Sequence, residues 1–206
     1  VHDLNGNAIS DDSMINVVLD IPGSLPIDRI MNDFVTDVGH WGHPTYSGST
    51  SGILATSTFA PTDSLAFAGT HSGEMILLDD PAISGGWFVR LWNVNRVDRI
   101  DADSKMFFYL RGGNADMQAR IVVQDDGGYE AGPWQDITFA ENDWQVVSVD
   151  LENDQLTGWI NGNGSIQAAS GTVAIDGIQI RCSEDVSVNL YLDMVTERYN
   201  IDPVEV

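Results

Sequence analysis

The sequence predicts an all-β fold, a sandwich of two antiparallel sheets. From Ile27 onward, short segments rich in Val, Ile, Phe and Trp recur about every ten residues, and clusters of Gly, Asn, Asp and Ser separate them, which is the spacing of strands in a β-sandwich. Inside the segments, apolar and polar residues alternate with a period of two, as expected when successive side chains point to opposite faces of a sheet. We therefore expect one all-β core.

The clearest strands each have one apolar face and one amphipathic face. Along 87–92, for example, Val89 and Leu91 alternate with Arg90 and Trp92. In chain order, the predicted strands are 52–59, 74–78, 87–93, 105–111, 117–124, 135–138, 144–150, 177–182 and 189–195.

Residues 27–202 form the predicted sandwich domain. Residues 1–26 are predicted to be a linker or an edge-strand appendage, because turn signals surround a single apolar run from Met14 to Ile21. The single cysteine, Cys182, continues the apolar side of its strand and is predicted to be a small buried hydrophobe.

Arginines are concentrated on the amphipathic faces of four strands. Four of the nine basic residues lie there, namely Arg90, Arg111, Arg120 and Arg181. If these strands belong to one sheet, its surface combines arginine with aromatic and amide side chains, which suits sugar because aromatic rings stack on pyranose C–H groups and guanidinium groups bond hydroxyls or carboxylates. The predicted ligand-binding residues are Arg90, Trp92, Tyr109, Arg111, Arg120, Gln124 and Arg181. Trp41, Trp134 and Trp159 are second choices for a rim site, and Trp144 is expected in the core.

The charge of the chain excludes some partners. Its 31 acidic and 9 basic residues give a formal net charge of −22, which disfavours nucleic acid and anionic membrane surfaces. No apolar run approaches the roughly 18 residues that a membrane-spanning helix needs, so we expect no membrane insertion.

Several short runs resemble one known group of modules when they are taken in order. The runs are Asp33-Phe34 with Trp41 and residues 47–52, then residues 69–74, 106–112, 142–147 and 190–195. Together they are similar to the galactose-binding-like β-jelly-roll group of carbohydrate-binding modules, which are appended to bacterial polysaccharide-degrading enzymes. The resemblance covers roughly residues 28–200. It implies a jelly-roll domain that binds a polysaccharide or oligosaccharide without cleaving it, is monomeric as a module, is tethered to other domains, and is secreted or displayed on a cell surface.

The same resemblance implies a structural calcium ion at one end of the sandwich. Calcium takes 6–8 oxygen ligands. The matching positions are Asp33 and Asp193, with Thr70 and Ser72 as further contributors. Val35 departs from the pattern, because the family often has a carboxylate after the Phe.

Two alternative functions remain open at this stage. One is a protein-binding or adhesion module of a surface protein. The other is a jelly-roll glycoside hydrolase or polysaccharide lyase. The enzyme reading is disfavoured because Tyr191 or an apolar neighbour stands where a retaining glycosidase would place its nucleophile before Asp193, and because the chain contains no Gln-x-His strand motif.

Overall fold

The computed structural model describes residues 28–138 and 143–199, which belong to one compact unit, Pro26–Asn200. These residues form two antiparallel sheets, so the predicted fold class is confirmed. The predicted appendage at residues 1–26 lies outside the described residues. In the described part, no helix is long and apolar enough to cross a membrane.

Thirteen strands are present within the described residues. They are β1 (Asp28–Asn32), β2 (Thr58–Thr62), β3 (Ser72–Leu77), β4 (Trp87–Trp92), β5 (Arg99–Asp101), β6 (Lys105–Gly112), β7 (Met117–Gln124), β8 (Tyr129–Ala131), β9 (Gln135–Ile137), β10 (Gln145–Asp150), β11 (Thr157–Gly158), β12 (Thr172–Cys182) and β13 (Val188–Arg198). A short 3₁₀ turn, Val94–Arg96, follows β4.

The strands divide between two sheets. Sheet I has the order β10-β6-β13-β3-β2, with β1 also paired to β13. Sheet II has the order β11-β8-β7-β12-β4, with β5 also paired to β12 and β9 to β7. Neighbours in each sheet are mostly distant in sequence, so the fold depends on long-range pairing.

The core lies between the two sheets and follows the predicted alternation. In β6, Phe108 and Leu110 are fully buried, and in β4, Val89 and Leu91 are fully buried. Cys182 is buried as predicted. Burial of these apolar side chains is the main stabilising contribution, at about 25 cal/mol per Å² removed from water.

Two predictions of strand position differ from the structure. The predicted strand 52–59 is wrong: only Thr58–Thr62 forms β2, because Gly52 adopts a φ of +75° where its backbone approaches Gly86 and Trp87 closely. The predicted strands 177–182 and 189–195 are too short. Register shifts in β12 and β13 interrupt the alternation within these strands while their pairing continues.

Candidate functional site

The outer surface of sheet II brings together five of the seven predicted ligand-binding residues. Alternate residues of β4, β7 and β12 point away from the core, as do residues of β8. We call this surface the sheet II face. The predicted residues on it are Arg90, Trp92, Arg120, Gln124 and Arg181.

Register between strands sets the order of side chains across this face. Gln179 of β12 pairs with Arg120 of β7 on one side and with Arg90 of β4 on the other. An arginine, an amide and an arginine therefore follow one another across three strands. In the neighbouring row, Gly177 lies between Val122 and Trp92, and a side chain does not fit there because its Cβ would lie 2.5 Å from the Leu91 carbonyl oxygen.

At one end of the row, a buried carboxylate holds two arginines. Asp176 is fully buried and accepts hydrogen bonds from Arg90, through Nε at 2.9 Å and also through Nη2, and from Nε of Arg96 at 3.2 Å. Arg90 also donates to Ser47 Oγ at 3.2 Å, and its side chain is only 11% exposed. The geometry therefore favours a supporting role for Arg90 over direct contact with a ligand.

Three aromatic rings surround these guanidinium groups. The Arg90 guanidinium lies 5.1 Å from the Trp159 ring centre and 6.0 Å from those of Trp92 and Tyr129, and Arg96 donates to the Tyr129 hydroxyl at 2.6 Å. Cations at such distances are attracted to aromatic faces. We call this group the Asp176 cluster; its members are Arg90, Trp92, Arg96, Tyr129, Trp159 and Asp176.

Arg96 is not among the predicted ligand-binding residues, because it lies outside every predicted strand. It reaches the face through two consecutive left-handed residues, Asn95 with φ 59° and Arg96 with φ 52°. Such conformations are costly for residues other than glycine, and among these residues asparagine is one that tolerates them well. Asn95, three residues after the end of β4, is the sequence signal for this left-handed turn.

At the other end of the row, two arginines converge on one indole ring. The guanidinium groups of Arg120 and Arg181 lie 4.3 and 4.1 Å from the centre of the Trp134 ring, and Phe88 meets the same ring edge-on at 6.5 Å. Trp134 comes from the segment between β8 and β9, so this second-choice residue does lie at the face. We call the group the Trp134 cluster; its members are Phe88, Gln118, Arg120, Trp134, Gln179 and Arg181.

Glutamine side chains hold the two arginines. Arg120 Nε donates to Gln179 Oε1 at 2.7 Å, and Arg181 donates to Gln118 Oε1 through Nε at 2.8 Å and Nη2 at 2.5 Å. Burial, together with the positive charge of Arg181, lowers the pKa of Arg120 to about 10. Arg120 is therefore still charged at neutral pH, but in a site that disfavours the charge.

A cleft of about 690 Å³ opens at the Arg181 end of the face. Its lining includes Phe88, Gln118, Asp136 and Arg181, and Gln118 Nε2 donates to Asp136 Oδ1 at 2.7 Å. The Trp134 cluster therefore borders a space that a ligand can enter from solvent.

Tyr109 and Arg111 lie on the other sheet, and their prediction as part of the same surface is wrong. Both belong to β6 of sheet I. Phe67 stacks on Tyr109 with ring centres 3.6 Å apart, and Trp144 meets Phe67 edge-on at 6.0 Å. Trp144 is thus at this surface and not in the core, whereas Trp41, expected at a rim, is buried and only 5% exposed.

The predicted calcium residues do not form a ready set of side-chain ligands. Asp193 is fully buried, and its carboxylate accepts backbone N–H groups of Phe67 at 2.8 Å, Ala68 at 3.1 Å and Met194 at 2.7 Å. Ser72 donates its hydroxyl to Leu65 O at 2.5 Å. Among residues 28–138 and 143–199, no group of three or more His, Cys, Asp or Glu is placed to hold a metal ion.

The remaining two predicted calcium ligands, Asp33 and Thr70, make hydrogen bonds to neighbouring residues. Asp33 accepts from its own turn, from Val35 N at 3.2 Å, and Thr70 bonds its neighbour His71 at 2.8 Å. Burial raises the pKa of Asp193 and the charge of Asp33 raises it further, whereas the hydrogen bonds from backbone N–H groups lower it. The two carboxylates are therefore neighbours, and backbone N–H groups donate three hydrogen bonds to Asp193. Calcium at this end stays a prediction.

Comparisons with known proteins find similarity in structure alone. No protein-family model matches the sequence, and no curated protein matches it. A structure that addresses the promiscuous specificity of carbohydrate-binding modules of the β-sandwich superfamily is 14% identical, with a TM-score of 0.54, over 82% of this chain and 61% of that one. This chain therefore corresponds to less than two thirds of that longer chain.

Two further structures match over most of their own length. A family 30 carbohydrate-binding module of a cellulosomal cellulase of Clostridium thermocellum is 12% identical with a TM-score of 0.50, over 85% of this chain and 99% of that one. Another family 30 carbohydrate-binding module is 13% identical with a TM-score of 0.50, over 87% and 91%. At such low identity the similarity concerns the fold. The chain thus has the jelly-roll β-sandwich fold of carbohydrate-binding modules.

Proposed function

We propose that this protein is a non-catalytic polysaccharide-binding module whose binding surface is the sheet II face. The observation that supports this proposal most directly is the gathering of four aromatic side chains and four arginines on that one face. The aromatic residues are Trp92, Tyr129, Trp134 and Trp159, and the arginines are Arg90, Arg96, Arg120 and Arg181. The fold shared with carbohydrate-binding modules agrees with it.

The chemistry of the face suits a sugar chain. Aromatic rings provide rigid apolar area for pyranose C–H groups, and guanidinium and amide groups provide directional donors for hydroxyl oxygens. The ion pairs of the Asp176 cluster and the arginine–glutamine hydrogen bonds of the Trp134 cluster hold these groups in place before a ligand arrives. This order reduces the entropy lost on binding.

Binding without bond cleavage agrees with the environment of Asp176, the carboxylate of the Asp176 cluster. A glycosidase needs two carboxyl groups that flank the scissile bond, one of them able to donate a proton. Asp176 is fully buried and bonded by two arginines, so it is not exposed to a sugar bound at the surface. We expect no reducing ends and no unsaturated products when the protein is incubated with a polysaccharide that it binds.

A matched pair of aromatic substitutions tests the position of the site. Trp134→Ala removes a ring from the sheet II face, whereas Phe67→Ala removes an exposed ring from sheet I. We expect affinity gel electrophoresis on a panel of soluble polysaccharides to show retardation of wild type, a loss of about tenfold or more in affinity for Trp134→Ala, and little change for Phe67→Ala. Circular dichroism of both variants verifies that they are folded.

The opposite results are equally informative. Retardation that depends on Phe67 and not on Trp134 would move the site to sheet I. A wild-type protein that binds no polysaccharide at millimolar sugar would contradict the proposal and leave the protein-binding or adhesion alternative.

We further propose that the module acts outside the cell, where it holds an attached enzyme or a cell surface close to its glycan. Carbohydrate-binding modules occur as parts of larger enzymes, as in the cellulosomal cellulase named above. Fusion of this chain to a catalytic domain should raise its rate on insoluble substrate and leave its rate on soluble substrate unchanged, and an equal rate on both would contradict the tethering role.

A further inference from the structure

The Trp134 cluster contains two positive charges that no carboxylate balances within the described residues. Arg120 bonds the amide of Gln179, and Arg181 bonds the amide of Gln118. An amide oxygen orients a guanidinium group but does not neutralise it. The cluster is therefore ordered and remains positively charged.

Four other arginines in the described part of the chain pair with carboxylates, whereas Arg99 bonds the hydroxyl and carbonyl oxygens of Thr172 at the exposed surface. Ion pairs join Arg29 to Glu197, Arg90 and Arg96 to Asp176, and Arg198 to Asp28. In a chain with 31 acidic and 9 basic residues, carboxylates are abundant. Two adjacent arginines without a carboxylate partner among the described residues favour a site where a ligand supplies the balancing anion.

The proximity of the two charges has an energetic consequence. Burial and the charge of Arg181 lower the pKa of Arg120 to about 10, which means that the site penalises the charged form. An anion bound between the two guanidinium groups would relieve the repulsion and replace the water that burial has removed.

The cluster also has hydrogen-bond donors available. A guanidinium group has five N–H donors, whereas the hydrogen bonds of Arg120 use Nε and those of Arg181 use Nε and Nη2. Gln179 Nε2 is buried without a partner within the described residues. An acceptor oxygen that arrives beside Arg120 would satisfy this amide after a small side-chain movement.

We propose that the Trp134 cluster binds an anionic group on a sugar ring, a uronate carboxylate or a sulfate ester, between Arg120 and Arg181. The inference rests on the proposed glycan-binding function and names the class of glycan. Planar guanidinium groups bind such oxygens through two parallel hydrogen bonds. Asp116 and Asp136 line the adjoining cleft and repel an anion there, so the anion is held between the two guanidinium groups and not deeper in the cleft.

The test uses pairs of polysaccharides that differ in charge alone. Polygalacturonate is compared with its fully methyl-esterified form, and a sulfated galactan with its desulfated form, by isothermal titration calorimetry at 150 mM NaCl. We expect wild type to bind the charged member of one pair at least tenfold more tightly than the neutral member, and the pair that differs identifies carboxylate or sulfate as the recognised group.

Four substitutions complete the experiment, and three of them each remove one positive charge. Arg120→Gln and Arg181→Gln should each lower affinity for the charged polysaccharide about tenfold, and Arg181→Lys should retain part of it. Lys105→Gln, on sheet I, should stay within about twofold of wild type. Thermal unfolding of each variant verifies that it is folded.

Two results distinguish failure of the inference from failure of the function. Neutral and charged forms that bind equally, with no effect of either arginine substitution, would overturn the anionic site and leave glycan binding intact. Absence of binding to every polysaccharide in the panel would overturn both.

Discussion

Among the residues of the sheet II face, Asp176 should contribute most to the stability of the folded protein. Its carboxylate is fully buried and bonds Arg90 and Arg96. Asp176→Ala leaves the charge of Arg90 buried without a partner, so we expect the free energy of unfolding in urea at pH 7 to fall by about 3 kcal/mol or more.

Asp28 offers a matched control for this substitution. It pairs with Arg198 at a surface where both side chains are more than a third exposed, and such pairs contribute about 0–1 kcal/mol. Asp28→Ala should therefore cost about 1 kcal/mol or less. Equal costs for the two substitutions would contradict the assignment of Asp176 as the buried anchor of the face.

Asp193 should stabilise its end of the sandwich by accepting hydrogen bonds from backbone N–H groups. Asp193→Ala leaves the N–H groups of Phe67, Ala68 and Met194 without their acceptor, and we expect a loss of about 2 kcal/mol or more. The calcium prediction has a separate test at the same residue. If calcium binds at this end, added calcium should raise the melting temperature of wild type and EDTA should lower it, with neither effect in Asp193→Ala. A melting temperature of wild type that responds to neither would contradict the calcium prediction.

At the scale of elements, the turn after β4 determines where Arg96 lies. Asn95→Gly removes any cost of the left-handed conformation and should preserve stability, whereas Asn95→Val introduces a β-branched residue at φ 59° and should lower the free energy of unfolding by about 1–3 kcal/mol. We also expect weaker polysaccharide binding for the valine variant. Equal stability of the two variants would show that the turn does not constrain Arg96.

Elements with unbroken alternation were predictable from the sequence. The bounds of β7 match the prediction, and those of β4 and β6 differ from it by one residue. The prediction failed where the backbone departs from a regular strand: at Gly52, with its positive φ, and at the register shifts of β12 and β13. A period-two pattern cannot extend across an inserted residue, because the insertion exchanges the two faces.

The composition of the face was predictable only in part, for a related reason. Alternation separates inward from outward residues but contains no information about which sheet a strand joins. Arg111 of β6 and Arg120 of β7 therefore look equivalent in sequence, yet they lie on opposite sheets. Trp134 and Trp159 lie outside the strands, so their positions depend on long-range packing.

At the scale of the whole molecule, the net charge of −22 should make stability depend on salt. Carboxylates repel one another over about 10 Å at 0.1 M salt and about 3 Å at 1 M. We expect the melting temperature to rise by about 2–4 °C, equivalent to about 1 kcal/mol, between 20 mM and 500 mM NaCl. Choline chloride should have the same effect, and a fall in melting temperature with either salt would contradict dominant self-repulsion.

The two ends of the sheet II face are chemically unequal, and this inequality would give a bound polymer a direction. At one end Asp176 already neutralises much of the charge of its arginines, while at the other end the hydrogen-bond acceptors of Arg120 and Arg181 among the described residues are amides. Strands in a sheet are about 4.8 Å apart, so a chain that crosses them meets arginine, amide and arginine in a fixed succession. If the proposed anionic site is correct, an oligosaccharide with a single acidic ring at one end would bind with that ring at the Arg120 end, and the protein would thereby distinguish the polarity of the chain as well as its composition.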